Sequence, residues 1–196
     1  MRALLASGFI LGMGILLVSP TCKAASQGTP TPVSSGYVGG SLCTKPDQIV
    51  FSCPLEKSEK IVSICAVNTN REDHFYYSFG KQGSPELIFP PKNDPDKSIS
   101  IAHLGFAGAS GGIAYSFISG PYKYIAYHIS GSGFENGGLM VTKNASKSEV
   151  INLKCRDGHI IDGIMNAPDN SLYKKLSRLP SDQELSKSNL PFAPKD

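Results

Sequence analysis

The chain of 196 residues carries 19 Lys and Arg residues against 16 Asp and Glu residues, which gives a net charge of +3. This near balance excludes a polybasic protein, and the sequence contains no basic stripe suited to a phosphate backbone, so we expect no nucleic-acid partner. The length suits one domain and is sufficient to bury a hydrophobic core.

The first 24 residues have the layout of a secretory signal peptide. Arg2 precedes an apolar run over residues 3–18, and Cys22 and Ala24 occupy positions −3 and −1 of a cut after Ala24. A membrane anchor needs about 20 apolar residues, and a lipoprotein would carry its lipid on Cys22; both fit less well than cleavage. Cleavage removes Arg2 and Lys23, which lowers the net charge from +3 to +1. We expect a periplasmic or secreted protein with no stable membrane span after cleavage.

Four cysteines remain after that cut: Cys43, Cys53, Cys65 and Cys155. An even number in an exported chain predicts two disulfides, with three pairings open. We favour Cys53–Cys155, because each ends a predicted strand, and Cys43–Cys65, because the two are near in sequence. No C-x-x-C or H-x-x-x-H spacing occurs, so we expect neither a metal nor another cofactor. We interpret His128 as a structural residue of a strand.

The predicted elements begin with a flexible leader over residues 25–45, which are rich in Ser, Gly, Thr and Pro. A β domain is predicted over residues 46–156, where eight short runs rich in β-branched and aromatic residues are bounded by turn residues; they are QIVFSC, KIVSICAV, HFYYSFGK, PELIFP, GIAYSFIS, YKYIAYHIS, GGLMVTKN and EVINLKC. This pattern predicts an all-β, antiparallel sandwich or barrel of about eight strands. Residues 157–196 form a C-terminal tail, in which the leucine spacing over 169–179 predicts one short helix.

The stretch Gly108-Ala-Ser-Gly-Gly112 matches the G-x-S-x-G pattern of a nucleophile elbow. An elbow needs a helix after the serine, but the residues that follow are strand-like, so we expect no enzyme. Two interpretations remain: a spacer between strands, or a thin loop that enters the cleft of a partner. The second predicts a partner-binding loop whose residues are Gly108, Ala109, Ser110, Gly111 and Gly112, with Tyr115 supporting the loop or bordering the contact.

Two resemblances carry further expectations. Phe51-Ser-Cys53, Ser63-Ile-Cys65-Ala66 and Leu153-Lys-Cys155 resemble the cysteine framework of a group of small exported proteins of Gram-negative bacteria, over residues 48–155. That group implies no common activity. Ser110-Gly111, followed by Tyr115, is similar to the Ser-Gly-x-x-Tyr loop of the periplasmic lysozyme inhibitors, with the tyrosine one residue later. This similarity implies an exported, disulfide-bonded β protein that presents the loop to the catalytic carboxylates of a hydrolase.

Together these features predict an exported binding protein of the cell envelope, such as an inhibitor of, or immunity protein against, a peptidoglycan-degrading enzyme. The alternative is an envelope protein that binds a carbohydrate or another ligand without inhibitory activity. The two hypotheses differ in shape. The inhibitor hypothesis predicts a convex surface with a protruding loop over residues 107–112, whereas the ligand-binding hypothesis predicts a concave aromatic pocket.

Overall fold

The computed structural model describes residues 38–67, 74–106, 108–164 and 171–188. They form two five-stranded antiparallel sheets, which confirms the predicted all-β sandwich class. The first sheet has the strand order β10-β1-β2-β3-β4, with bounds β1 Gln48–Pro54, β2 Ile61–Ala66, β3 Phe75–Lys81, β4 Ser84–Phe89 and β10 Ile161–Asp162. The second sheet runs in chain order, with bounds β5 Ser100–Phe106, β6 Ser110–Ser119, β7 Tyr122–Gly131, β8 Phe134–Lys143 and β9 Glu149–Lys154.

The described residues thus contain ten strands rather than about eight. The two that the sequence did not predict are β5 and β10. Strand β5 carries the small residues Ala102 and Gly105, and β10 is only two residues long, so neither has a strong strand pattern. Because β10 pairs with β1, the β domain extends past residue 156 into the segment predicted as a tail.

The main core lies between the two sheets and follows the period-2 alternation of the strands. In β3, Phe75 and Tyr77 are buried in this core, and Phe79 packs against it, as the alternation predicts. Strand β7 is apolar on both faces because both faces are covered. Ala126 packs in the main core, whereas Ile125 packs in a second apolar cluster on the outer face of the second sheet.

The two disulfides are Cys43–Cys65 and Cys53–Cys155, which confirms the favoured pairing. The first of them fixes part of the predicted leader. Residues 38–45 of the 25–45 segment are described, and Leu42 is buried there, so this part packs on the domain. Residues 1–37, which contain the predicted signal peptide and its cleavage site, lie outside the described residues.

Two short helices follow the sheets, α1 at Ser171–Leu176 and α2 at Gln183–Ser188. The first confirms the predicted helix, and its Leu172 and Leu176 are buried against the main core. The second was not predicted; its Leu185 is buried in the outer cluster of the second sheet. The C-terminal segment is therefore packed at least as far as α2. No helix in the described part of the chain is long and apolar enough to cross a membrane.

Candidate functional site

A cavity of about 350 Å³ lies beside the β5–β6 turn, where both sheets contribute residues. The first sheet and the chain after it supply one wall, and β6 and β7 supply the other. The lining is a mixture of apolar side chains, small residues and three polar residues: Val50, Phe51, Ala109, Gly111, Gly112, Ile113, Tyr115, His128, Ser130, Asp162 and Ile164. We call this space the end cavity. It contains four of the six residues that the sequence placed in a partner-binding loop.

The predicted loop over 107–112 is shorter in the structure. Phe106 pairs with Ser110, so three residues connect β5 to β6, and of these Gly108 and Ala109 are described. Their φ angles of 76° and 57° turn the chain, and both residues are exposed. Ser110 and the two glycines after it belong to β6, so they do not protrude.

The close packing of β6 between its neighbouring strands explains its two glycines. A Cβ atom at Gly111 would lie 2.9 Å from the carbonyl oxygen of Leu104 on β5. A Cβ atom at Gly112 would lie 2.1 Å from the carbonyl oxygen of His128 on β7. Any side chain at Gly112 would therefore push the strands apart. The absence of side chains also keeps space open at this end of the sandwich.

Tyr115, predicted either to support the loop or to border the contact, is buried on the inner face of β6. Only 2% of its surface is accessible, and its ring stacks on Phe51 with the ring centroids 6.5 Å apart. The residue sits on the inner face of β6 because its position has the same parity as Ile113 and Phe117, which also pack on the main core. Its role in the structure is to form the floor of the end cavity.

His128 connects the two sheets at the cavity wall. Its Nδ1 atom lies 2.9 Å from Oδ2 of Asp162 on β10, and its Nε2 atom lies 3.0 Å from Oε1 of Glu135 on β8. The imidazole ring also stacks on Phe51, with the centroids 6.3 Å apart. Burial alone would lower the pKa of His128, but the hydrogen bonds and charges of Asp162 and Glu135 outweigh burial and raise it.

This geometry is that of a satisfied structural histidine. Both ring nitrogens of His128 face carboxylates, so in this arrangement neither nitrogen is available to take a proton from a serine hydroxyl. Among the described residues there is no group of three His, Cys, Asp or Glu side chains that could hold a metal ion. The cavity combines apolar walls with a polar pair, His128 and Asp162, that is already hydrogen-bonded.

Sequence reasoning singled out His128 but missed both of its partners. Glu135 is seven residues away across the β7–β8 turn, where a hairpin makes a contact foreseeable. Asp162 is 34 residues away and was assigned to the tail. No local pattern marks Asp162, because its contact with His128 depends on how β10 packs against the second sheet.

Comparison of the chain with protein-family models, with curated proteins and with solved structures finds no match. The structure defines a disulfide-bonded, two-sheet β sandwich with a small cavity at one end. The resemblances to exported Gram-negative proteins and to lysozyme inhibitors stay expectations from the sequence.

Proposed function

We propose that this chain is an exported binding protein that holds an apolar group of a small ligand in the end cavity. The observation that carries the proposal is the cavity itself, whose volume of about 350 Å³ lies in the usual range of ligand sites. Its partly exposed apolar walls include Ile113 and Ile164, and its polar pair, His128 with Asp162, is already hydrogen-bonded. Filling such a space with an apolar group removes apolar surface from water at no cost in broken hydrogen bonds.

The shape of the site favours this alternative over the inhibitor hypothesis. The inhibitor hypothesis expects a convex loop over residues 107–112, but Gly111 and Gly112 are paired with strands on both sides, and Ser110 is paired with Phe106 of β5. The site is concave, as the ligand-binding hypothesis expects. Its aromatic residues are nevertheless inaccessible, since Phe51 and Tyr115 expose 1% and 2% of their surface. No flat ring is thus presented by these two residues to stack on a sugar, and we propose an apolar ligand group rather than a carbohydrate.

Inhibition of a peptidoglycan-degrading enzyme is the second candidate, and the exposed turn favours it. Gly108 and Ala109 are both exposed, and a Cβ atom built at Gly108 would meet no atom within 4 Å. Two small residues at the end of a hairpin could enter a narrow cleft of a cell-wall hydrolase. Export to the periplasm or the medium fits either candidate, because the two disulfides require an oxidising compartment to persist.

Amide chemical shifts of the isotope-labelled protein test the proposed function, with indole and cyclohexanol as small apolar probes. We expect saturable shifts at the amides of Ala109, Gly111 and Ser130, which line the end cavity. Ala109→Trp should abolish these shifts, because the added ring occupies the cavity mouth. The matched control is Lys57→Trp, since Lys57 is exposed in another turn with a similar φ of 53° against 57° at Ala109. Lys57→Trp should leave the shifts unchanged.

Two outcomes would count against the proposal. The first is that neither probe shifts these amides at concentrations up to about 10 mM. The second is that the shifts persist unchanged in a folded Ala109→Trp protein. The inhibitor candidate is measured separately, as slower clearing of a peptidoglycan suspension by a lysozyme. Inhibition that Ala109→Trp abolishes, in a protein that binds neither probe, would replace ligand binding with the inhibitor function.

A further inference from the structure

A second cavity, of about 500 Å³, lies at the corner where the two sheets meet. It is mainly polar and is bounded by the β7–β8 turn, the chain after β1 and the chain after β9. We call it the corner groove. Its lining consists of Glu56, Gly133, Phe134, Glu135, Asn136, Gly137, Lys154, Cys155, Arg156, Asp157, Gly158 and Ile160.

The backbone under the corner groove is held from several directions. Leu55 forms an antiparallel bridge with Cys155, which joins the ends of β1 and β9 across the two sheets. The Glu56 amide donates to the Lys154 carbonyl at 2.9 Å, and the Arg156 amide donates to the Pro54 carbonyl at 2.8 Å. The Cys53–Cys155 disulfide crosses the same place. Side chains that project from this corner therefore start from a rigid base, which favours a preformed site.

Five charged side chains line the corner groove; Glu135 is bonded to His128, and the other four make no pair within the described part of the chain. Glu56 and Asp157 are acidic, Lys154 and Arg156 are basic, and all four are exposed. In the described part of the chain, none of the four side chains makes an ion pair within 4.0 Å or a hydrogen bond. Elsewhere on the surface, opposite charges that come close do pair, as Lys60 does with Glu86 at 2.8 Å.

The two basic side chains project to the same side of the chain. Lys154 and Arg156 flank the inward-pointing Cys155, so the two cations project on the same side of the extended chain. Glu56 stands directly opposite Lys154 in the antiparallel backbone pairing, so these two side chains are neighbours on the same face of the paired segments. Phe134, at the β7–β8 turn, leaves 39% of its surface exposed at the groove. The groove thus offers two cations, a carboxylate beside them and an aromatic ring.

We propose that the corner groove binds a small zwitterionic ligand of the peptide class. The free carboxylate of the ligand is held by Arg156, whose guanidinium can donate two parallel hydrogen bonds, with Lys154 adding charge. The ammonium group of the ligand is held by Glu56, and an apolar side chain of the ligand packs on Phe134. This site shares no variant residue with the end cavity, so its test is independent of the function proposed above.

Calorimetric titration with the dipeptide L-alanyl-L-phenylalanine tests the proposal. Two blocked forms of the same dipeptide, one N-acetylated and one C-amidated, each lack one charge. We expect the free dipeptide to bind at least about tenfold more tightly than either blocked form, because each form loses charge-assisted hydrogen bonds. Arg156→Gln should remove the preference over the amidated form alone, and Glu56→Gln should remove the preference over the acetylated form alone.

Lys92→Gln is the matched control, because Lys92 is an exposed cation in the β4–β5 connection, away from the groove lining. It should bind all three peptides as the wild type does. Equal affinities of the free and blocked dipeptides for the wild type would overturn the proposal, as would failure of the free dipeptide to bind up to about 10 mM. Equal weakening of binding by Arg156→Gln and Lys92→Gln would overturn it as well. Unchanged thermal unfolding of each variant shows that the fold is retained.

Discussion

A buried ion pair holds the C-terminal segment on the second sheet. The substitution Asp182→Asn should show how much this pair contributes to the free energy of unfolding. The Asp182 carboxylate accepts a hydrogen bond from Lys123 Nζ at 2.7 Å and another from the Ser116 hydroxyl. The Lys123 and Asp182 side chains expose only 8% and 10% of their surface. The backbone amide of Asp182 also donates to the Ile101 carbonyl at 2.7 Å, which places the carboxylate beside the sheet.

The structure sets the size of the effect. Removing one partner of a buried ion pair costs about 3–5 kcal/mol, because the other charge is left uncompensated. Here Lys123 keeps a second partner, since Glu184 Oε2 lies 3.3 Å from its Nζ atom. The asparagine can also still accept the hydrogen bond from Ser116. We therefore expect Asp182→Asn to lower the free energy of unfolding by about 3 kcal/mol, at the lower end of that range.

The loss of stability caused by Asp182→Asn should become smaller as the pH falls. Burial alone would raise the pKa of Asp182, but the hydrogen bonds from Lys123, Ser116 and the Leu185 amide outweigh it, and the pKa lies below the usual 3.8. A carboxyl group with a lowered folded-state pKa stabilises the protein above its unfolded-state pKa, and this contribution is lost as the pH falls through the folded-state pKa. The difference between wild type and variant should be full at pH 7 and should shrink below about pH 4.

Urea denaturation at neutral and acid pH measures the loss in free energy of unfolding and its dependence on pH. The control is Asp94→Asn, which breaks an exposed pair with Lys97 whose side chains are 41% and 54% accessible; it should cost at most about 1 kcal/mol. The double variant Lys123→Met with Asp182→Leu removes both charges and should be more stable than Asp182→Asn. A loss below about 0.5 kcal/mol at pH 7 for Asp182→Asn, or an equal loss at both pH values, would refute the reasoning.

Three further predictions concern the core and the sheet-to-sheet contacts. Because the pKa of His128 is raised in the folded state, its contribution to stability is complete below about pH 6 and is lost as the pH rises through that pKa. Between about pH 6 and 9, the melting temperature of the wild type should therefore fall more than that of His128→Gln. Tyr77→Phe should raise the free energy of unfolding by about 1 kcal/mol in urea titrations, because the buried Tyr77 hydroxyl has no hydrogen-bond partner among the described residues; destabilisation would contradict this. Replacing Cys53 and Cys155 by serine opens a loop with a sequence separation of 102 and should cost up to about 4.7 kcal/mol in denaturant titrations, more than loss of the other disulfide.

The fold class followed from the sequence because strand alternation is a local property. The runs from β1 to β4 and from β6 to β9 each carry a visible pattern of apolar residues between turn residues. Strand β5 does not, because the small residues Ala102 and Gly105 weaken its apolar pattern. The disulfide pairing also followed, since Cys53 and Cys155 end strands that meet at one corner.

The candidate sites were less predictable because they depend on how the sheets pack. The contact between His128 and Asp162 joins residues from two sheets, and the corner groove joins segments that follow β1, β7 and β9. Period-2 patterns indicate which face of a strand is buried, but they do not specify which residues of the facing sheet come into contact. The charges of Lys154 and Arg156 were visible in the sequence, but their convergence with Glu56 was not.

The small residues from Gly108 to Gly112 have more than one cause. Gly108 and Ala109 have the positive φ angles of a tight turn, whereas Gly111 and Gly112 permit close approach of β6 to its neighbours. Composition alone cannot separate these causes, because each favours residues with little or no side chain. The spacer interpretation and the binding interpretation thus apply to different positions of one stretch. The glycines of β6 leave the end cavity open, and Ala109 at its mouth is the position where a larger side chain tests function without entering the strand pairing.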